Sequence, residues 1–261
     1  MADGLVLDAV SAQYRLRGGA TLTAVDEVSL DVRPGEVVGL VGESGCGKST
    51  LAKMICGLQP LSTGTASFDG TQIHPLKLSR RDADLLRIQM VFQNPYASLN
   101  PRRKVGSQIE DARRIHPSTA PTVAELLTQV EMPARSADLF PHQFSGGQRQ
   151  RIAIARAVAS GPRLLIGDEP IASLDASLQS KIAKLMRELA LEMGASLLFI
   201  SHDLSVVRLI ADRVMVMNRG HVVESGPTEQ IWTNPSDDYT KRLLSSIPIA
   251  DGLGNLPAYQ G

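Results

Sequence analysis

The chain has 261 residues, of which 43% are hydrophobic and 21% charged, proportions that are typical of a globular protein and exclude a disordered, collagen-like or coiled-coil chain. Its 27 Lys and Arg residues balance 27 Asp and Glu residues, whereas a dedicated nucleic-acid binder usually carries a basic excess, so we expect no nucleic-acid partner. The two cysteines, Cys46 and Cys56, exclude a disulfide framework and a four-cysteine metal site, and they favour a reducing compartment.

The N-terminal part of the chain predicts strands. Leu5, Leu7 and Ala9 alternate with other residues, and residues 21–32 are rich in Thr and Val, as strands commonly are. The short apolar run of residues 37–41 follows a Pro-Gly turn. Such a run, bounded by turn residues, is typical of a strand buried in a parallel sheet.

A phosphate-binding loop is predicted directly after this strand. Residues 42–49 read Gly-Glu-Ser-Gly-Cys-Gly-Lys-Ser and match G-x-x-x-x-G-K-[ST], in which glycines let backbone N–H groups surround a phosphate at the positive end of a helix. Lys48 would reach the β- and γ-phosphates, and the Ser49 hydroxyl would ligate Mg²⁺. The alternative is a glycine-rich turn before a helix. We predict a nucleoside triphosphate site made by Gly42, Glu43, Ser44, Gly45, Cys46, Gly47, Lys48, Ser49 and Thr50.

The middle of the chain predicts a helical insertion. Residues 94–159 turn largely helical, although six prolines interrupt them. Within this segment Ser-Gly-Gly-Gln at residues 145–148 begins a helix, and such a helix start can bind an anion through its backbone N–H groups. Because one phosphate loop already serves one nucleotide, we predict that this second site contacts a nucleotide held by another subunit. Ser-Gly-Gly is also an ordinary flexible turn.

Two carboxylates follow the next apolar strand, which ends in Gly-Asp-Glu at residues 167–169. A carboxylate at a strand end commonly holds Mg²⁺ through water in phosphoryl transfer, and we assign this role to Asp168. A second carboxylate can polarise the attacking water, so Glu169 is the predicted general base. Standing alone, the segment would be an ordinary strand end with solvated acids.

The last third of the chain predicts a βαβ unit and a hairpin. Leu178, Ile182, Leu185 and Leu189 recur at helical spacing, and the helix lies between apolar strands, which requires a parallel sheet. Further on, two apolar runs flank Asn-Arg-Gly at residues 218–220, the pattern of a hairpin.

Taken in order, these motifs resemble the ATP-hydrolysing subunits of ABC transporters over nearly the whole chain. Tyr14 lies where that family places an aromatic ring that stacks on adenine. The other matching positions are residues 42–49 (Walker A), Gln93 (Q-loop), residues 145–148 (signature motif), residues 164–168 (Walker B), Glu169 (catalytic glutamate), Asp175 (D-loop) and His202 (switch histidine).

The resemblance implies an α/β fold, a P-loop NTPase core with a parallel sheet, an N-terminal antiparallel β subdomain and an inserted α-helical subdomain. It implies a nucleotide-binding core of residues 1–93 and 160–235, a helical signature subdomain of residues 94–159 and a C-terminal tail of residues 236–261. ATP and Mg²⁺ are the implied cofactors.

The family's site roles carry over to matching positions of this chain. Glu169, His202 and Gln93 are the implied catalytic residues, and Mg²⁺ would be held by Ser49 and Gln93 and, through water, by Asp168. Two ATPase chains would close head to tail. The residues that would then cap the partner's ATP are Ser145, Gly146, Gly147 and Gln148, beside the D-loop residue Asp175.

Within the family, residues 91–102 and 200–207 resemble the ATPases of dipeptide, oligopeptide and nickel importers. This implies a second, non-identical ATPase chain, two membrane permease subunits and an extracytoplasmic binding protein that acts indirectly. Residues 1–4 lack the start of a signal peptide and no apolar run approaches ~18 residues, so a peripheral position on the cytoplasmic face of the membrane is expected.

The cargo and the class leave alternatives. A peptide cargo is favoured over nickel or a metal chelate. The competing class of protein is a soluble ABC ATPase that works as a mechanical clamp.

Two departures from the family pattern matter. No cysteine follows Cys56, so the iron–sulfur cluster proposed for many relatives is not expected. Asp237 and Asp238 precede Tyr239 where relatives often have His-Pro, which leaves the docking of the tail open.

Overall fold

The computed structural model describes residues 4–15, 18–77, 81–115 and 121–246. Residues 247–261 of the predicted tail therefore lie outside the described residues. The strands are β1 (Leu5–Arg15), β2 (Thr21–Val32), β3 (Val37–Val41), β4 (Thr63–Phe68), β5 (Thr71–Gln72), β6 (Ile88–Phe92), β7 (Leu164–Asp168), β8 (Ser196–Ile200), β9 (Arg213–Asn218) and β10 (His221–Pro227). The helices are α1 (Lys48–Ile55), α2 (Pro95–Ser98), α3 (Val105–Arg113), α4 (Val123–Gln129), α5 (Gly146–Val158), α6 (Ala176–Glu192), α7 (Leu204–Ile210), α8 (Thr228–Thr233) and α9 (Asp238–Ser245).

The strands form two sheets. A four-stranded sheet has the order β2-β1-β4-β5, and its paired strands are antiparallel. A six-stranded sheet has the order β10-β9-β3-β8-β7-β6, in which β9, β3, β8, β7 and β6 run parallel and β10 pairs antiparallel with β9. The parallel core, the N-terminal antiparallel sheet, the βαβ unit and the hairpin are thereby confirmed.

Alternate residues of the parallel strands face two apolar clusters. In β8, Leu197 and Phe199 pack with the helical side, while Leu198 and Ile200 pack towards α1 and the antiparallel sheet. Strands buried on both faces read as continuous apolar runs because each face needs its own apolar residues. The first cluster also includes Ile109 and Leu127 of the helices between β6 and β7. The segment 94–159 is helical as expected, and its treatment as a separate subdomain stays a prediction.

The strand predicted from Leu5, Leu7 and Ala9 is confirmed, but its alternation is interrupted at Ala9. Leu5 and Leu7 are buried, but Ala9 is exposed and the buried phase resumes at Val10. The register between β1 and β2 shifts there, and Ala9 has a left-handed φ of 44°. A β-bulge inserts one residue into the strand and so moves every later side chain to the other face.

The carboxyl ends of the parallel strands lie along one edge of the six-stranded sheet. The segments that follow β3, β6, β7 and β8 therefore meet there, as expected for binding sites of open α/β sheets. Those segments hold the phosphate loop, Gln93, Glu169 and His202. Within the described ranges, no helix has the length and apolar character needed to cross a membrane.

The tight packing of α7 on β3 predicts the cost of enlarging Gly39. A Cβ at this position would lie 2.3 Å from Cγ1 of Val207 and 3.2 Å from Cβ of Ala211. Valine is stiff in a helix, so the clash is not relieved cheaply. Gly39→Ala should lower the free energy of unfolding by about 1–3 kcal/mol, measured by urea denaturation.

Gly226→Ala is the matched control, because a Cβ there meets its nearest atom, Cδ1 of Ile231, at an ordinary 3.4 Å. Equal stability of the Gly39→Ala variant and the control would show that α7 does not pack closely on β3.

Candidate functional site

The phosphate loop connects β3 to α1. Gly42 and Gly47 have φ values of 150° and 113°, a region that favours glycine. Close packing adds a second constraint, because a Cβ at Gly42 would lie 2.1 Å from the carbonyl oxygen of Met217 and one at Gly47 would lie 2.2 Å from that of Ala24. Glycine is therefore required at both positions by backbone conformation and by contact.

Distant segments hold the loop from outside. The N–H of Gly220, in the turn between β9 and β10, donates to the carbonyl of Cys46 at 2.9 Å, and the N–H of Asp26 donates to the carbonyl of Gly220 at 3.0 Å. The N–H of Glu43 donates to the hydroxyl oxygen of Tyr239 at 3.0 Å. The backbone of the loop is thus held by two other parts of the chain, the turn at Gly220 and Tyr239, and the turn is held in its place by Asp26.

Lys48 lies beneath the loop and is only 4% exposed. Its Nζ donates to the carbonyl oxygens of Gly42 and Glu43, each at 2.8 Å, and lies 3.6 Å from Sγ of Cys46. These are neutral groups, whereas a buried charge is stabilised best by an opposite charge. The position suits a phosphate that would supply that charge.

Two of the three residues expected to hold Mg²⁺, Ser49 and Asp168, are in contact. Oγ of Ser49 donates to Oδ1 of Asp168 at 2.7 Å, and Asp168 is 7% exposed. Burial raises the pKa of the Asp168 carboxyl, and the nearby charge of Glu169 adds to this, while the Ser49 hydrogen bond and Lys53 and Lys48 act in the opposite direction.

These side chains fit a magnesium ion. Hydroxyl, carboxylate and amide oxygens are the donors that Mg²⁺ prefers, and the ion usually binds through one or two protein groups together with substrate phosphates and water. No cluster of three or more His, Cys, Asp and Glu residues suited to a metal occurs in the part of the chain that the structure describes. Gln93 follows β6 and lines the same cleft, where it is exposed.

Glu169 and His202 face each other at the sheet edge. Nδ1 of His202 lies 3.3 Å from Oε2 of Glu169. Glu169 has a left-handed φ of 48°, and its N–H donates to the carbonyl of Ile200 at 3.0 Å. A non-glycine residue in this conformation costs about 1–3 kcal/mol and persists only where the surroundings enforce it. The backbone therefore aims this carboxylate at the cleft.

A cleft of about 440 Å³ is lined by Lys48, Ser49 and Glu169, while Asp168 and His202 are not part of its lining. Tyr14 lies at one end, with its hydroxyl 3.4 Å from Oγ1 of Thr50. Leu22, which the sequence did not single out, is 52% exposed beside it. The lining residues are Tyr14, Leu22, Ala24, Ser44, Gly45, Gly47, Lys48, Ser49, Thr50, Gln93 and Glu169. An aromatic and an apolar side chain thus adjoin a phosphate loop.

The predicted signature residues lie elsewhere. Ser145 caps α5 by accepting from the N–H of Gln148 at 3.3 Å, and the Gln148 side chain accepts from the N–H of Ser145 at 3.0 Å. Gly147 packs towards Leu178 at the start of α6, and Asp175 is exposed at the same helix start. None of the residues 145–148 or Asp175 lines the cleft.

Tyr239 is the functional candidate that sequence reasoning missed. Its hydroxyl meets the loop, and its ring is 8% exposed. The sequence gives no direct signal of this contact, because 196 positions separate Glu43 from Tyr239. The docking of the tail, which the sequence left open, is resolved through residue 246. Asp237 caps α9 by accepting from the N–H groups of Tyr239 and Thr240.

Comparison with known proteins gives consistent results. A family profile described as "ABC transporter" matches residues 25–172. The oligopeptide transport ATP-binding protein OppF of Bacillus subtilis (strain 168) is 46% identical over 247 residues, which cover 92% of this chain and 81% of that protein. The glutathione import ATP-binding protein GsiA of Pectobacterium atrosepticum is 45% identical over 233 residues, which cover 87% of this chain and 37% of that protein.

A solved structure is also similar. It is a dimer of an ATP-binding cassette in a post-hydrolysis state, bound to ADP and Pi, with a TM-score of 0.72 and 28% identity. The match covers 86% of this chain and 98% of that one. The fold described above is therefore that of ATP-binding cassettes.

The environment of Asp168 predicts that its negative charge lowers the stability of the fold while it favours the binding of Mg²⁺. Because folding raises its pKa, the ionised carboxylate destabilises the fold above both its folded and unfolded pKa values, and the effect fades as the pH falls and both states become protonated. Without nucleotide and Mg²⁺, Asp168→Asn should melt at a higher temperature than the unmodified chain at pH 8, with a difference that narrows at lower pH.

The same variant should gain less thermal stability from ATP with Mg²⁺, because a metal-binding charge is lost. Asp8→Asn, at an exposed strand carboxylate, is the control and should change neither property. A melting temperature of the Asp168→Asn variant below that of the unmodified chain at pH 8 would contradict the destabilising effect assigned to the Asp168 charge.

Proposed function

The chain belongs to the ABC transporter family and is an ATPase, and from this premise we propose that it powers the import of di- and oligopeptides across the cytoplasmic membrane. The observation that carries the proposal is that Lys48, Ser49 and Glu169 line one cleft, where Ser49 contacts Asp168 and Glu169 faces His202. The names of OppF and GsiA, which refer to oligopeptide transport and glutathione import, support peptides as cargo.

ATP would bind with its adenine on Tyr14 and its phosphates in the loop. Stacking of a base on an aromatic ring contributes about 1–3 kcal/mol and accepts most bases. Lys48 would exchange the carbonyls of Gly42 and Glu43 for the β- and γ-phosphates. Mg²⁺, held by Ser49 and Gln93 and through water by Asp168, would offset the negative charge of the phosphates.

Hydrolysis would use the Glu169–His202 pair. The Glu169 carboxylate accepts a proton from a water as its oxygen attacks the γ-phosphorus, and the bond from that phosphorus to the β–γ bridging oxygen breaks. ADP and inorganic phosphate leave, and the proton passes from Glu169 to the phosphate. His202 would turn from the carboxylate to a γ-phosphate oxygen, a movement that its 53% exposed side chain allows.

A second ATPase chain would complete the site. Ser145, Gly146, Gln148 and Asp175 are exposed, Gly147 is half-buried, and none of them lines this chain's own cleft. In a head-to-tail dimer, the start of α5 would cap a nucleotide bound by the partner. The dimer of the similar ATP-binding cassette supports this arrangement. We propose a non-identical partner, as in the importer group that the sequence resembles.

A groove that includes Gln89, in the strand that precedes Gln93, suits a membrane subunit. It has a volume of about 940 Å³ and extends from Gln89 of β6 to α3, and Asn100, Arg102 and Arg103 are among the residues that line it. Because β6 leads directly to Gln93, movements of the nucleotide site would be transmitted to a permease segment bound in this groove. We propose that two permease subunits, fed by an extracytoplasmic binding protein, hold the ATPase pair at the cytoplasmic face.

Replacement of the proposed base separates binding from hydrolysis. Glu169→Gln retains size and hydrogen bonding but cannot accept the proton, so ATP should bind with near-normal affinity while turnover falls by about 10²–10⁴-fold. ATP-loaded dimers should accumulate in size-exclusion chromatography when the partner chain is present. The matched control is Glu192→Gln at an exposed site on α6, and wild-type turnover by Glu169→Gln would remove Glu169 from its role.

Replacement of the buried cation tests the phosphate assignment. Lys48→Ala should lose most of the affinity for ATP, because the ammonium contributes a charge-assisted contact to the phosphates. Equilibrium binding of a fluorescent ATP analogue would measure the loss. The control is Lys184→Ala, at an exposed site on α6 and outside the cleft lining. Unchanged affinity of Lys48→Ala would refute the assignment.

The importer proposal is tested by reconstitution. ATP hydrolysis is measured for the chain alone and then in lipid vesicles with permeases, second ATPase and binding protein. Stimulation by a binding protein loaded with a peptide, and not by one loaded with nickel, is the expected result. Stimulation only by the nickel-loaded binding protein would show that the cargo is nickel. A rate of hydrolysis that no membrane partner changes would favour a soluble ATPase.

A further inference from the structure

The C-terminal helix α9 touches the phosphate loop through one side chain. The Tyr239 hydroxyl oxygen accepts from the N–H of Glu43 at 3.0 Å, while its ring is buried in the apolar cluster on the helical side of the sheet. Burial raises the pKa of Tyr239, so the hydroxyl is protonated and neutral at physiological pH. The contact is therefore a neutral hydrogen bond to the backbone of the loop.

This hydrogen bond clamps a single peptide group. The N–H of Glu43 and the carbonyl of Gly42 belong to the same planar peptide and point in opposite directions, because the bond is trans. The carbonyl end accepts from Nζ of Lys48 at 2.8 Å. Rotation of this peptide plane would break the bond to Tyr239 and also turn the carbonyl away from Lys48.

The start of α9 is itself anchored. The carboxylate of Glu224, in β10, accepts from the N–H and Oγ of Ser236, each at 2.8 Å, and from the N–H of Asp237 at 3.1 Å. Asp237 then caps the helix. A charged acceptor bound by several donors holds its partners more firmly than a single neutral contact does. The position of Tyr239 is thus fixed to the hairpin whose turn also holds Cys46.

We propose that Tyr239 is a positioning residue of the nucleotide site, which fixes the Gly42–Glu43 peptide in the orientation that holds Lys48 ready for a phosphate. The inference rests on the proposed nucleotide binding and adds the C-terminal helix to it. A bound phosphate can order the loop by itself, so the contribution of Tyr239 lies before binding, in the fraction of chains whose loop is competent to bind.

Tyr239→Phe removes the hydroxyl and keeps the ring. A neutral hydrogen bond contributes about 1 kcal/mol, which corresponds to about a fivefold change in population. The association rate of a fluorescent ATP analogue with Mg²⁺, measured by stopped flow, should therefore fall about fivefold. The dissociation rate should stay unchanged, because the loop is ordered by phosphate in the bound state. A role in folding alone would lower the melting temperature and leave both rates as they are.

Two further variants sharpen the test. Lys241→Ala changes an exposed residue of the same helix, paired only locally with Asp238, and should bind as the unmodified chain does. Asp237→Ala removes the helix cap and should slow association in the same direction as Tyr239→Phe, with a lower melting temperature.

The outcomes separate this inference from the proposed function. Equal association rates for the unmodified chain and Tyr239→Phe would overturn the positioning role while nucleotide binding stands. A lower melting temperature of Asp237→Ala with an unchanged association rate would overturn it too, because α9 would then only stabilise the fold. Failure of the unmodified chain to bind any nucleotide would instead overturn the proposed function.

Discussion

The site is organised around one buried cation, the ammonium of Lys48. Its hydrogen bonds run to the neutral carbonyls of Gly42 and Glu43, and the Asp168 carboxylate acts on it electrostatically rather than by a direct hydrogen bond. Burying such a charge is costly, so the surrounding backbone must be fixed strongly enough to keep it in place. The backbone around Lys48 is fixed by close packing at Gly42 and Gly47 and by the turn that contacts Cys46. The buried ammonium therefore favours the binding of an anion, such as the triphosphate of a nucleotide.

The parallel sheet converts sequence distance into proximity. Ser49 and Asp168 are 119 positions apart, yet their side chains meet at 2.7 Å because β3 and β7 end at the same edge. Glu169 and His202 meet for the same reason, at the ends of neighbouring strands. Residues 145–148 begin α5 and do not line this cleft, so the nucleotide contact proposed for them would be made with a partner chain.

Local chemistry explains what the sequence could predict. The phosphate loop, the Asp168–Glu169 pair and the βαβ unit are short patterns whose residues determine their own backbone, and the parallel core was predicted from them. Contacts between distant segments have no such pattern. The bond from Glu43 to Tyr239 and the exposed Leu22 beside Tyr14 depend on how separate elements pack. The bulge at Ala9 was missed because alternation alone does not show where a strand changes phase.

The central claim is that the loop binds the β-phosphate of a nucleotide through its backbone and Lys48. Isothermal titration of the chain with ATP, ADP and AMP, each with Mg²⁺, tests it most directly, since all three share the adenosine that would stack on Tyr14. The account predicts that ATP and ADP bind with comparable affinity and that AMP binds at least tenfold more weakly. Equal affinity for AMP and ATP would contradict it, because recognition would then depend on the base and sugar alone.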